Sequence, residues 1–452
     1  MFQKTKYSTV LLLTALAAMF LLWPQAQPAY AATTINVTTT TDERTSPGTG
    51  CSLREAIQNF NDNAATYPEC GTWSGAPVTI NLPIPGTYQL LGAGADGANA
   101  TGDLDITTNS GTLTIQGAGS GLTIISNQGA ASDRVIQIDP GGITLILNDV
   151  TITNGNDFGG GGLNSVGATT NITVNRCIFR SNNTSGAGGA IEILDASLTI
   201  NDSTFSSNTA VTGGAVEIRG TATLTVNNST FSSNTATGNG GAIEIGGTAT
   251  LTINNSTLTG NSSTNFGGAI SLASGVTANI KNITVAGNTS SANGGGLHSN
   301  NTTALNIYNS IFANNTATGN NDCYLQAGTV TVNTKNLIMV GNCGTAASTA
   351  NPGLGALASN GGNTQTMSIG VSSPAYNAGD NASCLPTDQR GTARPQFGTC
   401  DIGAFESAVA AAVGGVAQSI TPRAGYPVAA TAGMVAVSMM LMGAGAWLMR
   451  RG

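Results

Sequence analysis

One phrase recurs six times between residues 160 and 317, and it constrains the fold more than any other feature of the sequence. Each copy begins with a glycine pair and a short apolar stretch, and ends with a large apolar residue, two further residues and an asparagine. Successive asparagines are 26, 26, 27, 27 and 27 residues apart. A period this constant indicates a repeat protein in which each copy stacks on the next.

The repeating unit is built from residues that favour strands and turns. Gly, Thr, Ser, Asn, Val and Ile are mediocre or poor helix formers. Apolar residues alternate with polar ones, as in Ile191 and Ile193 and then Leu198 and Ile200, which is the period of a strand with one buried face. Three short strands and their turns fit into each copy. The sequence predicts an all-β fold, a right-handed parallel β-helix of about 27 residues per coil.

Equivalent residues of successive coils should then form ladders with a spacing of ~4.8 Å. We expect an asparagine ladder at one turn, because Asn tolerates the left-handed conformation and its amide can bond neighbouring amides. The glycine pairs should mark another corner, where the backbone needs a positive φ. A stack of aromatic rings, interrupted by Leu258 and Val285, should fill the interior. The aromatic positions are Phe179, Phe205, Phe231 and Phe312, and the asparagines are Asn182, Asn208, Asn234, Asn261, Asn288 and Asn315.

The alternating GGAI and FxxN phrases resemble the repeats of the polymorphic outer-membrane adhesins of chlamydiae. Nearer the N-terminus, Cys51-Ser-Leu-Arg-Glu-Ala-Ile57 resembles the signature of CSLREA-domain proteins, which is found at the N-terminus of bacterial surface β-helix proteins. Within it, Ser52 and Glu55 form a capping box ahead of an apolar stripe. A short helix here would cover the open end of the solenoid.

A third resemblance lies near the C-terminus, in residues 351–406. Segments such as Asp388-Gln-Arg-Gly391 and Cys400-Asp-Ile-Gly-Ala-Phe-Glu406 are similar to the choice-of-anchor type Q domain, which sits beside interchangeable surface anchors. Together the three resemblances imply a cell-surface protein with a pectate-lyase-like β-helix, and they imply no defined reaction.

The two ends of the chain have the composition of a signal peptide and of a membrane-spanning segment. Residues 1–31 have two lysines, an apolar run and the small-x-small site Ala29-Tyr30-Ala31, which predicts a signal peptide, although an uncleaved anchor is the alternative. Val428–Met449 carries no charge and precedes two arginines, which predicts a membrane span with its basic end in the cytoplasm. The alternative is a sorting tail that is cut and replaced, but no LPxTG-type motif precedes it.

The sequence therefore divides into six predicted segments, and the protein is expected to be extracellular, at the cell surface, and anchored in the membrane by its C-terminus. The segments are the signal peptide (1–31), an N-terminal cap (32–77), the β-helix (78–350), the C-terminal domain (351–406), a linker (407–425) and the membrane anchor or sorting tail (426–452).

Composition narrows the possible partners. Only 8% of the residues are charged and the net charge is −7, which argues against nucleic acid as a partner. We expect a monomer that contacts a glycan or another cell-surface ligand.

Seven cysteines in an exported chain suggest disulfides. Six cysteines allow fifteen connectivities, and pairing of nearest neighbours is the simplest of them. Cys177 aligns with Ser203 and Ser229 of the repeat, so we expect it to be a buried lone thiol. No spacing resembles a zinc site. The expected pairs are Cys51 with Cys70, Cys323 with Cys343, and Cys384 with Cys400.

The strand after the glycine pair carries the candidate site. Its outward column is expected to contain Glu192, Glu217 and Glu244, with Arg219 on the same side and His298 further along. Carboxylates on neighbouring strands would lie about 5 Å apart, a spacing that retaining glycosidases use.

Three interpretations of this column remain open. The outward residues can be ordinary surface polarity with an ion pair, a Ca²⁺ ligand set, or the carboxylates of a polysaccharide lyase or glycoside hydrolase. Because fold alone does not assign a reaction, the leading hypothesis is an adhesin or a structural, glycan-binding rod. In that hypothesis the glutamates and His298 serve as binding residues, and no cofactor is needed.

Overall fold

The computed structural model describes residues 32–92, 97–107, 110–127, 133–139, 142–167 and 169–409, all of which belong to one compact unit. The predicted signal peptide, most of the linker and the predicted membrane anchor lie outside these residues. Within the described ranges, no helix has both the length and the apolar character to span a bilayer.

Successive turns of the chain pass through the sheets in one order, which we number 1 to 4, and sheet 3 is present only in the coils from Asn156 to Ser290. In the described part of the chain these sheets contain 11, 10, 6 and 9 strands. Every strand pairs in parallel with its equivalent in the neighbouring coil, as Thr223–Asn227 does with Ser197–Asn201 and Thr250–Asn254. The nine strands of sheet 4 are separated by eight stacking steps, so the fold is a parallel β-solenoid of about eight turns.

The strands of sheet 1 are Thr33–Asn36, Val78–Leu82, Thr112–Gly117, Thr144–Asn148, Asn171–Asn175, Ser197–Asn201, Thr223–Asn227, Thr250–Asn254, Thr277–Lys281, Ala304–Tyr308 and Val332–Thr334. Sheet 2 contains Gly86–Leu90, Thr123–Asn127, Thr151–Thr153, Ile178–Arg180, Thr204–Ser206, Thr230–Ser232, Thr257–Thr259, Thr284–Ala286, Ile311–Ala313 and Leu337–Ile338. Sheet 3 contains Asn156–Gly159, Asn183–Ala187, Thr209–Ala210, Thr235–Ala236, Ser262–Ser263 and Thr289–Ser290. Sheet 4 contains Leu104–Ile106, Ile136–Ile138, Leu163–Val166, Ile191–Leu194, Val216–Arg219, Ile243–Ile245, Ile270–Leu272, Leu297–Asn300 and Cys323–Ala327. Leu357–Ala358 and Thr366–Met367 form a small antiparallel pair.

The predicted asparagine ladder is confirmed. Each amide Nδ2 donates to the Oδ1 of the next asparagine at 2.8–3.1 Å. That same Oδ1 also accepts the backbone N–H of the preceding asparagine at 2.9–3.1 Å. The second amide hydrogen goes to a backbone carbonyl one coil earlier, for example from Asn234 to Phe205 at 3.0 Å. Because these side chains are almost fully buried, unmade bonds here would be costly.

One detail of that prediction is wrong. The residue with positive φ at this turn is the one before each ladder asparagine, such as Ser207 (φ 56°) and Ser233 (φ 57°). The chain turns one residue early, and the asparagine side chain then points into the coil. The glycine corner is as expected: the first glycine of each pair has φ between 57° and 68°. A Cβ on Gly240 would lie 2.5 Å from the Ile243 carbonyl oxygen.

The ladder ends at an aspartate instead of another asparagine. Asp322 Oδ1 accepts both the backbone N–H and the amide of Asn315, each at 2.9 Å. Its Oδ2 accepts the backbone N–H of Val340 at 2.8 Å. A carboxyl group suits this position because all the neighbouring groups are donors. Burial raises the pKa of Asp322 above its usual value.

The predicted aromatic stack is also present. The ring centroids of Phe179 and Phe205 are 5.0 Å apart, and those of Phe205 and Phe231 are 4.8 Å apart, with nearly parallel planes. Leu258, Val285 and Phe312 continue the column in register.

The N-terminal region contains one α-helix, α1 (Leu53–Asp62), and a short 3-10 helix (Pro68–Cys70). The predicted capping box is made: Glu55 N–H donates to Ser52 Oγ at 3.1 Å, and Ser52 N–H donates to Glu55 Oε2 at 2.9 Å. The strand Thr33–Asn36, inside the segment predicted as a cap, forms the edge of sheet 1.

All three expected disulfides are confirmed, Cys51–Cys70, Cys323–Cys343 and Cys384–Cys400. The seventh cysteine, Cys177, is a buried free thiol, as expected. Burial raises its pKa to about 12.

The segment 351–409 lies along the outside of sheet 2 and runs over several coils. Gln389 shows the contact best: its Nε2 donates to Thr230 Oγ1 at 3.0 Å, and its Oε1 accepts from Thr257 Oγ1 at 2.7 Å. Further on, Ala404 N–H donates to Thr284 Oγ1 at 3.0 Å, and Asp380 N–H donates to Asn309 Oδ1 at 2.8 Å. We call this segment the strap.

Removing one amide from the middle of the ladder should cost far more stability than removing one from the surface. Asn234→Ala removes four buried hydrogen bonds to three neighbouring residues, so we expect the free energy of unfolding to fall by at least ~2 kcal/mol. Asn227→Ala removes a half-exposed amide of sheet 1, and we expect a loss below ~1 kcal/mol. Urea unfolding of both variants measures the difference; equal losses would contradict a stabilising role for the buried ladder.

The end of the ladder provides a second test. Asp322→Asn places an NH₂ group against a backbone or amide N–H, so we expect a loss of ~1–3 kcal/mol in the free energy of unfolding. Asp195→Asn is a matched control, because Asp195 also accepts a backbone N–H, that of Thr221, but at an exposed site. A variant at position 322 as stable as the wild type would show that the acceptor pair is not needed there.

Candidate functional site

The polar column of sheet 4 has the register that the sequence predicts. Glu192 pairs with Glu217, Glu217 with Glu244, Glu244 with Ser271, and Ser271 with His298. The parallel ladder therefore places the three carboxyl groups on adjacent strands, with a strand spacing of ~4.8 Å.

The expectation that this column is an open outward face is wrong. Glu217 is only 4% exposed, Glu244 8% and His298 4%. The cause is the chain that precedes each glycine pair, which folds back over sheet 4 and was not foreseen from the sequence.

Three contacts show how closely this covering chain lies. Thr212 Oγ1 donates to Glu217 Oε2. The Phe266 ring stacks on the His298 ring, with a centroid distance of 4.5 Å. A Cβ added to Gly159 would lie 1.9 Å from Glu192 Oε2. A side chain at position 159 would therefore displace the Glu192 carboxylate.

Arg219 joins two of the three carboxylates. Its Nη2 donates to Glu192 Oε1, and its Nε lies 2.8 Å from Glu217 Oε1. Asn164 Nδ2 donates to the other oxygen of Glu192 at 3.1 Å. Burial raises the pKa of both glutamates, and the nearby guanidinium opposes that rise. A single guanidinium group, that of Arg219, therefore forms ion pairs with two neighbouring carboxylates.

Glu244 lies one strand beyond the Arg219 ion pairs, and a side-chain hydrogen bond with Ser271 favours its ionised form. Among the described residues, its Oε2 has no hydrogen-bond partner. Burial raises its pKa to about 8, with a smaller contribution from the charge of Glu217. The side chain is therefore mostly protonated at neutral pH.

His298 is buried within an aromatic cluster, so the expectation of a surface histidine is wrong. Phe266 stacks on one side, and the Tyr324 ring lies 5.8 Å away, centroid to centroid. Its Nε2 is 3.0 Å from Gln326 Oε1. Burial lowers the pKa of His298, which favours the neutral ring.

The chemistry available to this column is limited by its burial. A retaining glycosidase needs an ionised carboxylate and a protonated carboxyl that both reach the sugar. Here Glu192 and Glu217 are paired with Arg219, and the protonated Glu244 is buried. Among the residues that the structure describes, no group of three or more His, Cys, Asp or Glu side chains is arranged to hold a metal ion.

A second polar cluster, at the first coils of sheet 4, was missed at the sequence level. A pocket of about 410 Å³ is lined by Asp103, Asp105, Arg134, Gln137 and Asp139, among others. Asp103 is 1% exposed, burial raises its pKa to about 8, and its Oδ2 lies 3.8 Å from Arg134 Nε. The available signal was the pair of motifs Asp103-Leu-Asp105 and Asp133-Arg134. Neither belongs to the repeat.

One family model matches a part of the repeat region. Residues 228–245 match the Chlamydia polymorphic membrane protein repeat. The matched residues run from the turn before sheet 2 to the strand that carries Glu244. They form a small part of the chain, so the match describes the repeat and not the whole protein.

Other comparisons add less. No curated protein matches the chain. Among solved structures, the crystal structure of pectate lyase Pel9A is similar with a TM-score of 0.45 and 14% identity, over 83% of this chain and 96% of that one. At that identity and score, the similarity carries no information about activity.

The raised pKa of Glu244 predicts a pH dependence of stability. An unfolded glutamate releases its proton near pH 4.3, whereas folded Glu244 holds it up to about pH 8. Between these values the folded state binds more protons, so the free energy of unfolding falls as the pH rises, by up to ~1.4 kcal/mol per pH unit from this group. Glu244→Gln removes that contribution.

Urea unfolding at pH 5, 6, 7 and 8 measures this effect. We expect the stability of the variant relative to the wild type to increase steadily from pH 5 towards pH 8, because over this range wild-type Glu244 is ionised in the unfolded chain and protonated in the folded one. Parallel pH profiles of the two proteins would mean that Glu244 titrates near its ordinary value.

Proposed function

We propose that this chain is a cell-surface protein whose β-solenoid acts as an adhesin or a structural, glycan-binding rod. The observation that carries this proposal is the burial of the glutamate column. Glu217 and Glu244 are buried beneath the chain, and Glu192 and Glu217 are paired with Arg219. What remains accessible is an extended, regular surface, and solenoids use such surfaces for binding.

Other features support a position outside the cell. Disulfides persist in oxidising compartments, and the described residues contain three. The matched repeat is named for a membrane protein of Chlamydia, and surface display is consistent with it.

The proposal includes the finer features expected from the sequence. The solenoid is right-handed, helix α1 with the CSLREA-like segment closes its N-terminal end, and the strap is part of a choice-of-anchor Q-like domain. The N-terminal signal peptide is removed, and the C-terminal span holds the protein in the membrane. Treatment of intact cells with an external protease, followed by mass spectrometry of the released peptides, tests whether the solenoid lies on the outer side of the membrane.

Binding without turnover is the expected behaviour. The full-length chain, purified in mild detergent, should be retained on a glycan array and should release neither reducing ends nor unsaturated sugars from the glycans that it binds. Reducing-end assays and absorbance of unsaturated products measure the two classes of cleavage.

Glu217→Gln is the variant that separates a rod from an enzyme. With the rod, this variant binds as the wild type does, because the side chain is buried. Turnover by the wild type that is abolished in Glu217→Gln would overturn the proposal in favour of a polysaccharide lyase or glycoside hydrolase.

A further inference from the structure

The three long sheets of the solenoid differ in what covers their outer faces. Sheet 4 is covered by the chain that precedes each glycine pair, and its outward residues are mostly buried. Sheet 2 is covered by the strap from Thr230 onwards, and Thr230, Thr257 and Thr284 are buried beneath it. The outward residues of sheet 1 are partly exposed in every coil from Asn171 to Asn254. Among the described residues, this is the long face that no other segment covers.

The composition of the open face is uniform. In the four strands from Asn171 to Asn254, every outward side chain is a hydroxyl or an amide, and none is charged. The pairing register aligns them in three columns. We call these twelve side chains the open face: Asn171, Ser197, Thr223 and Thr250; Thr173, Thr199, Thr225 and Thr252; Asn175, Asn201, Asn227 and Asn254.

Hydrogen bonds between coils hold the asparagine column and one pair of the first column in place before any ligand arrives. In the third column, each amide donates to the Oδ1 of the previous coil at 2.8–3.0 Å. Thr223 Oγ1 likewise donates to Ser197 Oγ at 3.0 Å. An Asn amide has two N–H donors and two acceptor lone pairs, and the ladder uses one of each. These asparagines are all partly exposed to solvent.

We propose that the open face binds a neutral, linear polysaccharide that lies along the solenoid axis. This inference deepens the proposed glycan-binding function and rests on it. Sugar hydroxyls both donate and accept hydrogen bonds, and so do the Thr, Ser and Asn groups of the face. The face presents the same groups every ~4.8 Å, which suits a polymer that repeats its own hydroxyls.

Charge determines which class of polysaccharide the face recognises. None of the twelve residues is a cation that could pair with a carboxylate or sulfate, and the next residue of the third column, Lys281, lies over the Tyr308 ring. The chain as a whole carries a net charge of −7, which disfavours an anionic polymer. No aromatic side chain stands among the twelve residues to stack on a single sugar. Binding therefore depends on many weak contacts made together, and affinity should rise steeply with the length of the glycan.

The test removes hydroxyls without changing side-chain shape. In the triple variant Thr199→Val, Thr225→Val and Thr252→Val, each substitution keeps a β-branched residue in a strand. The matched control, Thr204→Val, Thr209→Val and Thr289→Val, makes the same change on sheets 2 and 3. Full-length proteins are tested for retention by cellulose, chitin, a β-1,3-glucan and, as the anionic comparison, polygalacturonate. Circular dichroism and thermal melts establish that the variants are folded.

We expect the wild type and the control to bind at least one neutral polymer, and the open-face variant to bind it at least about tenfold more weakly. A short oligosaccharide of the same sugar should compete poorly. A single change, Thr225→Lys, should also weaken binding, and it provides the answer if the triple variant does not fold.

Other outcomes overturn the inference in recognisable ways. If the open-face variant binds as the wild type does, the site lies elsewhere and the glycan-binding proposal still stands. Retention by polygalacturonate alone would contradict the ligand class. A wild-type dimer in sedimentation that the open-face variant abolishes would assign the face to a second copy of the chain. If the wild type binds no glycan, the proposed function and this inference both fail.

Discussion

Bonding of buried amides between coils is the constraint on which the rest of this structure depends. The side chain of Asn234 accepts from the backbone and amide of Asn208, and it donates to the Phe205 carbonyl and to Asn261. A coil that was two residues longer or shorter at this corner would leave several buried polar groups without partners. The regular spacing of 26 or 27 residues and the aromatic stack beside the ladder both follow from this requirement.

Much of the fold follows from the repeat alone. The spacing of the asparagines and the alternation of apolar residues were sufficient to place the ladders, the glycine corner and the parallel register of Glu192, Glu217 and Glu244. The three disulfides followed from proximity in sequence. These features are local, or they repeat with one period, so a single chain carries enough information to predict them.

The features that could not be predicted depend on contacts between different parts of a coil or between distant segments. The alternation in sheet 4 shows that Glu217 points outward, but it does not reveal that Thr212 and its neighbours fold back over it. In the same way, nothing near Gln389 indicates that its amide lies between Thr230 and Thr257, well over a hundred residues earlier. Asp322 takes the place of the next ladder asparagine where the regular coils end. It follows Asn315 by only 7 residues, so the period of 26 or 27 residues does not predict it.

The strap changes how the stack of coils must come apart. In a simple solenoid each coil contacts only its neighbours, so stability is a sum of local terms and the ends can unravel one coil at a time. The strap bonds to successive coils from Thr230 to Asn309, and losing any one of these coils also costs its bonds to the strap. The C-terminal half of the solenoid should therefore open as a single cooperative block, while the first coils, which lie outside the strap, are free to exchange their amide protons by separate, smaller openings.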